Sequence, residues 1–356
     1  MSKTLQDSLI TRGISRRTFL AASGALALGA AFGPDLSRVF AEETGPMIKR
    51  WRTLGRTGFK VGDISMGCGS IAESNVVRFA YDHGVNLFDT AEAYGNGDSE
   101  TKIGEAMKHM QRDKIFIVTK LGLDEDPDQI SLVERFNASL GRLQTDYVDA
   151  LYCHGIADLK YVEYAPFLAA CDQLKQEGKL KHVGISSHGS RGDEPNSMEE
   201  VLVKAAEVGH YDVMLLSYGF VNADEGGKVL KACKDKNIGT TIMKSATGMM
   251  EMPVFDPENP NEMAQGWYEY LEGMGVTGEA ATQRIIDYLE RERPNMEKAV
   301  AASGPFIKEH GITTQDELDL KSFQWVLRNP DAHTIIPSMP TFDALERILP
   351  LSGTQL

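Results

Sequence analysis

"FDTAEAYGNGDSE", Phe88 to Glu100, is the stretch on which the fold turns. The apolar run that leads into it ends in Asp89, and Tyr94 follows five residues later among Ala, Gly, Asn and Ser. That is the pattern of a strand, a glycine-rich corner and a helix start. Asp98 or Ser99 is expected to cap the helix, with Glu100 in its first turn. A carboxylate and a phenol are thus set together where a strand ends, on the side where a barrel assembles its active site.

Outward from this unit, from Ile64 on, short apolar or β-branched runs alternate with stretches of helical period. The runs are "DISMGC", "NLFDT", "IFIVTK", "YVDALYCH", "HVGISSH", "DVMLLSY", "GTTIMKS" and "HTIIPSM". Between them Ile130, Val133, Phe136, Leu140 and Leu143 recur at three and four residues, as do Tyr164, Phe167, Cys171 and Leu174 ahead of Gly178. Near-continuous apolar strands separated by amphipathic helices predict a parallel sheet covered by helices. Eight such units, most of them about 30 residues apart, predict an α/β fold of the closed (β/α)8 TIM barrel type over residues 47–356. Ahead of them "KRWRTLGRTGFKVG" reads as a β-hairpin placed to plug the N-terminal end of the barrel. One interval is too long for the repeat. About 85 residues separate "IMKSATG" from the last strand, which sets an insertion at about 249–312, irregular in its Pro-, Asn- and Gly-rich first part. Because it follows a strand, it starts at the catalytic face. It is either a lid carrying Trp267, Tyr268 and Tyr270 or an ornament beside the barrel.

Polar residues stand out at successive strand ends: Asp89 on the second strand, Lys120 on the third, His154 on the fourth, and Tyr94 on the loop after Asp89. Singly, each has a structural explanation as a turn cap, a solvated strand end, a core imidazole or a packed loop ring. Together at one mouth they form a chemical set. A lysine in an apolar barrel needs an anion, and Asp89 is on the neighbouring strand. A charged lysine beside a phenol favours the phenolate and is expected to lower its pKa from about 10. Tyr94 then gives a proton to a developing alkoxide and takes one back in reverse, while a neutral His154 orients the carbonyl. What remains is a hydride source.

"DTAEAYGNGDSETKIGEAM" resembles the aldo-keto reductase pattern DTAxxYGxGxSExxxGxA, and "VTK", "DYVDALYCH" and "GISSH" resemble the blocks that follow it. The similarity runs from Leu54 to "IIPSMPTFDALERI". It implies a TIM barrel that moves a hydride between NADP(H) and a small carbonyl or alcohol, with NAD(H) left open. It implies Asp89, Tyr94, Lys120 and His154 as the catalytic four, with Tyr94 the proton donor. It places Tyr218 under the nicotinamide, with Asp89, Gly67 and Cys68 in the same pocket. Ser186 and Ser187 fall at the carboxamide, Lys244 and Ser245 near the pyrophosphate, and Ser338 and Arg347 in the last cofactor-binding segment. The departures cluster on the cofactor side. Ser187 stands where the family usually has Asn, and Leu215 where it has Gln. Pro340 and Ile348 hold positions that commonly carry a basic residue for the 2′-phosphate and an Asn for adenine, with Arg347 the nearby basic residue. Each lost hydrogen bond is worth about 0.5–1.5 kcal/mol, so several together weaken or re-specify nucleotide binding.

The first forty or so residues read differently. "SRRTFL", Ser15 to Leu20, is a twin-arginine pair that leads into an apolar run, and "VFA" at Val39 to Ala41 offers small residues to a signal peptidase. Residues 1–41 are expected to be a cleaved twin-arginine export signal, with a periplasmic or otherwise exported product. The apolar run is shorter than the ~20 residues that span a bilayer, and no stable membrane insertion is expected after cleavage. The chain carries a net charge of −14, and loss of the signal's five basic and two acidic residues leaves −17. Such an acidic body disfavours nucleic acid as a partner. Export-machinery contact during transport and a small-molecule substrate are the partners expected. Free nicotinamide nucleotides are cytoplasmic, so the nucleotide is expected to be loaded before export. The four cysteines at 68, 153, 171 and 233 lack metal-ligand spacing, and no metal is expected.

Rival readings have their own residues. "GCGSIA", Gly67 to Ala72, fits a GxGxxA dinucleotide fingerprint, with Asp89 about twenty residues on as the ribose acid of a Rossmann sheet. A nucleotide-binding or scaffolding protein on a reductase barrel is the alternative favoured by the eroded cofactor contacts. His154 and His188 at adjacent strand ends lack the further ligands of a metal hydrolase.

Overall fold

The structure is a computed structural model and describes residues 46–188, 195–273, 275–354 and 356. The export signal expected over 1–41 lies outside the described residues. The described chain opens with an antiparallel hairpin, β1 (Trp51–Thr53) and β2 (Lys60–Gly62), turned through a short 3-10 segment at Gly55–Thr57. Eight strands follow in one sheet: β3 (Met66–Gly67), β4 (Leu87–Asp89), β5 (Phe116–Leu121), β6 (Val148–Cys153), β7 (Leu180–Ser187), β8 (Val213–Ser217), β9 (Gly239–Met243) and β10 (Thr334–Ile335). Each pairs in parallel with the next in chain order. The last returns to the first. Ser65 N–H donates to the Ile335 carbonyl at 2.8 Å and Gly67 N–H to the Pro337 carbonyl at 2.9 Å, with bridges Ile64–Ile335 and Gly67–Ser338. At this seam a β-carbon on Gly67 would lie 2.7 Å from the Ile336 carbonyl oxygen, so only glycine lets the strands close. An open doubly wound sheet must reverse its strand order at a switch point. Here the order never reverses, and the Rossmann reading of "GCGSIA" is corrected to the first strand and loop of a (β/α)8 barrel.

Helices α1 (Ser74–Asp82), α2 (Asp98–Met107), α3 (Gln129–Leu143), α4 (Ala165–Gln176), α5 (Met198–Val208) and α6 (Ala223–Asp235) each follow a strand and bury one stripe against it. Two apolar layers result. One lies between sheet and helices and includes Phe88, Leu132, Phe136 and Phe167; the other fills the barrel with Leu87, Phe116, Val118, Tyr152, Val213 and Leu215. The hairpin inserts Leu54 and Val61 into this inner layer, and Phe59 meets Phe116 at 5.2 Å between ring centroids. It plugs the end where the strands begin, as its position in the sequence predicts.

After β9, residues 244–261 carry neither helix nor strand. Then come α7 (Glu262–Gly273), α8 (Gly278–His310) and α9 (Gln315–Leu327), with α10 (Phe342–Ile348) after β10. Trp267 and Tyr268 of α7 turn toward α8, where Trp267 meets the Tyr288 ring at 6.1 Å and the Tyr268 hydroxyl bonds Thr282 at 2.8 Å. The side chain of Tyr270 lies outside the described residues. The far end of α8 returns to the barrel: Phe306 stacks on Phe220 at 4.3 Å, and Ser303 accepts the Met249 N–H at 2.9 Å. Among the described residues no helix is long and apolar enough to cross a membrane.

Candidate active site

Strand alternation sets the site. Residues two apart share a face, so Asp89 continues the inward face of Leu87, Lys120 that of Val118, and His154 that of Tyr152. The result is a buried ion pair at the mouth. Lys120 Nζ lies 2.5 Å from Asp89 Oδ1, with side-chain exposures of 0% and 2%. The same ammonium donates to the Thr90 carbonyl at 2.8 Å and to the Tyr94 hydroxyl at 3.3 Å. Its three protons therefore meet a carboxylate, a carbonyl and a phenol. The Tyr94 ring meets His154 edge-on at 5.7 Å. The four predicted residues share one constellation.

The electrostatics correct one expectation. Burial raises the pKa of Tyr94, and the charge of Lys120 pulls it back only in part while Asp89 pushes it further up. The phenol thus sits above its ordinary value, because desolvation of the phenolate outweighs a single nearby ammonium. Burial alone would lower Lys120. The Asp89 carboxylate, then Tyr94 and the hydrogen bonds to both, outweigh it, so the ammonium titrates above its usual range.

The loop that carries Tyr94 is built by left-handed backbone. Gly95, Asn96 and Gly97 take φ of 56°, 52° and 90°. Gly97, not Asp98 or Ser99, is the residue before α2, and it offers no side-chain cap. Asp98 instead pairs with Lys102 at 2.6 Å. Ser99 is buried, bonds Thr90 at 2.7 Å and donates to the Cys68 carbonyl at 2.6 Å. Both side chains are drawn to partners other than the helix's free N–H groups. Glu100, which lies in the first turn of α2 as expected, and Glu92, which the sequence did not single out, anchor the loop. Glu100 is fully buried and accepts from Thr119 and from Arg142. Glu92 accepts from the Gly122 N–H and from Arg135. The charge spacing gave no sign of either, since their partners lie across the fold.

The residues expected around a nucleotide are placed unevenly. Gly67 forms the seam, and Ser338 beside it bonds Ser70 at 3.0 Å. The Cys68 thiol points to the helix layer, donates to the Met66 carbonyl and is pushed up by burial. Its N–H donates to the Asp89 carbonyl at 2.9 Å, and the thiol lies near enough to Asp89 and Lys120 to feel both charges. Ser186 spends its hydroxyl on the loop after His154, accepting the Gly155 N–H at 2.8 Å and donating to the Cys153 carbonyl at 3.1 Å. Ser187 and Ser245 are buried, and Lys244 is exposed with φ 50°. Tyr218 is 6% exposed, held by Asn329 at 2.9 Å and by the Trp325 ring at 5.3 Å. Arg347 is tied to Asp316 at 2.9 Å, and Ile348 is buried in the helix layer. Leu215 belongs to the apolar barrel interior, which explains why a leucine is tolerated there. Asp89 Oδ2 is buried without a hydrogen-bond partner. An acceptor left free beside a lysine suits a hydroxyl donor such as a cofactor ribose, so the residues at the mouth fit a dinucleotide. All four cysteines are free and buried.

The family model for the aldo/keto reductase family matches residues 72–356. The chain belongs to the aldo/keto reductase family. Relatives of this aldo/keto reductase include L-galactose dehydrogenase from Arabidopsis thaliana, 36% identical over 154 residues, which cover 38% of this chain and 47% of that protein. A probable voltage-gated potassium channel subunit beta from the same plant is 36% identical over 121 residues, or 30% of this chain and 37% of that protein. The chain spans about half the length of the first curated relatives it matches. Among solved structures, an aldo-keto reductase from Bacillus halodurans in its holo form superposes with a TM-score of 0.60 at 19% identity, covering 86% of this chain and 92% of that one. An aldo-keto reductase from Klebsiella pneumoniae in complex with NADPH gives 0.56 at 21%, covering 87% and 92%. At such identities the likeness is one of fold.

Proposed function

We propose that this aldo/keto reductase transfers a hydride between a nicotinamide cofactor and a small carbonyl or alcohol, with Tyr94 as general acid and base. The observation that carries this is the buried Lys120–Asp89 pair in hydrogen-bond reach of Tyr94. A nicotinamide nucleotide bound at the mouth supplies the hydride. Asp89 and Tyr218 would hold it, the first through its free oxygen and the second through its ring. The Klebsiella pneumoniae structure in complex with NADPH supports NADP(H) as that nucleotide.

The raised pKa keeps Tyr94 protonated through neutral pH, which suits it to give a proton to carbonyl oxygen as negative charge develops there. The phenolate left behind is stabilised by the ammonium 3.3 Å away, in a site from which water is largely excluded. Asp89 fixes that ammonium and keeps it charged. His154, edge-on to Tyr94, borders the same space and can donate to the same oxygen. In the alcohol direction the roles reverse, and the phenol must first lose its proton.

The twin-arginine pair in the sequence supports export, with the nucleotide loaded beforehand. The test is nucleotide analysis of the exported protein, followed by a carbonyl screen with NADPH and NADH. Bound or saturably bound nucleotide with turnover of at least one carbonyl is expected. No nucleotide and no turnover, together with a stable protein partner, would favour the scaffolding alternative, which the potassium channel beta subunit relative also suggests.

A further inference from the structure

We propose that the cleft between α7 and α8 binds a flat aromatic anion. The cleft measures about 510 Å³, inside the roughly 300–1,000 Å³ typical of small-molecule sites. It lies on the segment that the eight-unit repeat does not require, and none of Asp89, Tyr94, Lys120 and His154 lines it. Its walls are two stripes of helical period. Trp267 and Leu271 stand one turn apart on α7; Arg284, Tyr288 and Arg291 follow one another along α8. Buried Ile285 lies among them.

A hydrogen bond and a ring contact tie these walls to each other. The Tyr268–Thr282 hydrogen bond at 2.8 Å ties α7 to α8 beside the cleft. Trp267 and Tyr288 meet at 67° and 6.1 Å, which makes a corner of two aromatic walls. A planar ring entering that corner can stack on one wall and offer its edge to the other. The arginines choose the charge. Arg291 lies 5.6 Å from the Tyr288 ring centroid and is paired with Glu292. Arg284 makes no hydrogen bond or ion pair among the described residues. The single acid of the lining, Asp287, already accepts from Gln283 at 2.8 Å. On a chain of net charge −14, an unpaired guanidinium beside two aromatic rings is a complementary seat for a carboxylate, sulfonate or phosphate.

The experiment titrates the full chain with 8-anilinonaphthalene-1-sulfonate, followed by probe fluorescence, with and without saturating NADPH. The uncharged N-phenyl-1-naphthylamine and sulfate alone are the comparators. Saturable single-site binding that NADPH does not displace is expected, about tenfold or more weaker for the neutral ring and for Arg284→Gln/Arg291→Gln. Hydrogen exchange of the wild type should show protection by the sulfonate confined to α7 and the first half of α8. Displacement by NADPH, equal affinity in the double variant, or protection elsewhere or nowhere overturns the proposal. The exchange result decides alone if the variant does not fold.

Discussion

Lys120 is the residue on which the site depends, and its environment makes opposite demands on stability and activity. Removal of one partner from a buried ion pair strands the other charge, at a cost of about 3–5 kcal/mol. Lys120→Met should therefore lower the urea-unfolding stability by about that much. Lys120→Met combined with Asp89→Leu should recover most of the loss and remain inactive. Recovery of activity in the double variant would contradict the role given to the pair. Tyr94 carries a second prediction. Because burial holds its pKa above the ordinary value against the pull of Lys120, kcat/KM for alcohol oxidation should climb with pH to beyond about 10, while carbonyl reduction stays flat through neutrality. An oxidation profile that levels off near neutral pH would show that the ammonium prevails after all. At this scale the sequence announced the three polar strand ends, since polar groups on apolar strands are conspicuous, and with them the loop tyrosine that follows Asp89. The sign of the phenol's shift was not legible, because it depends on how completely the folded loop excludes water.

Strands and helices meet at glycines whose purpose appears only in three dimensions. Gly184 of β7 lies directly under the Tyr152 ring of β6, and a β-carbon there would overlap the ring. Gly184→Ala should cost about 1–3 kcal/mol, and the cost should largely vanish in a Tyr152→Leu background. A double-mutant cycle on thermal or urea unfolding measures the coupling. Gly97 likewise leaves room for Arg142, which reaches back to Glu100. The β9–β10 junction gives a pH-dependent prediction. His333 bonds Thr240 at the start of β9, and burial, then Arg52, lower its pKa to about 4 against the pull of Asp331. Its unfolded value is about 6.5. Its contribution is complete above that pH and is lost as pH falls toward about 4, up to about 3 kcal/mol. The drop in urea midpoint between about pH 7 and about pH 4.5 should be smaller in His333→Asn than in wild type. Hydrophobic period gave the strands and helices themselves. The cap of α2 was misread because Asp98 and Ser99 each had a better partner, Lys102 in one case and the Thr90–Cys68 corner in the other.

From Pro46 on, the described chain is a barrel closed at a glycine seam, plugged by a hairpin at one end and carrying the Lys120–Asp89 pair at the other. Eight apolar runs, most of them about 30 residues apart, were enough to predict closure, and the unreversed strand order of the sheet bears it out. The insertion was legible as an excess of chain and as an irregular start, but not as a helical pair. Its long helix α8 runs through Pro294 and Pro305, residues that read as breaks, and is secured by Phe306 on Phe220 and by Ser303. Phe220 follows shortly after Tyr218, so the insertion braces the loop that would carry the nicotinamide ring. The most direct measurement of the central claim is single-turnover hydride transfer from bound NADPH to a carbonyl found in the screen, in wild type and in Tyr94→Phe, beside the NADPH affinity of each. The account predicts a fall of roughly 10²–10⁴-fold in the transfer rate, with affinity nearly unchanged. Transfer at the wild-type rate in Tyr94→Phe would contradict it.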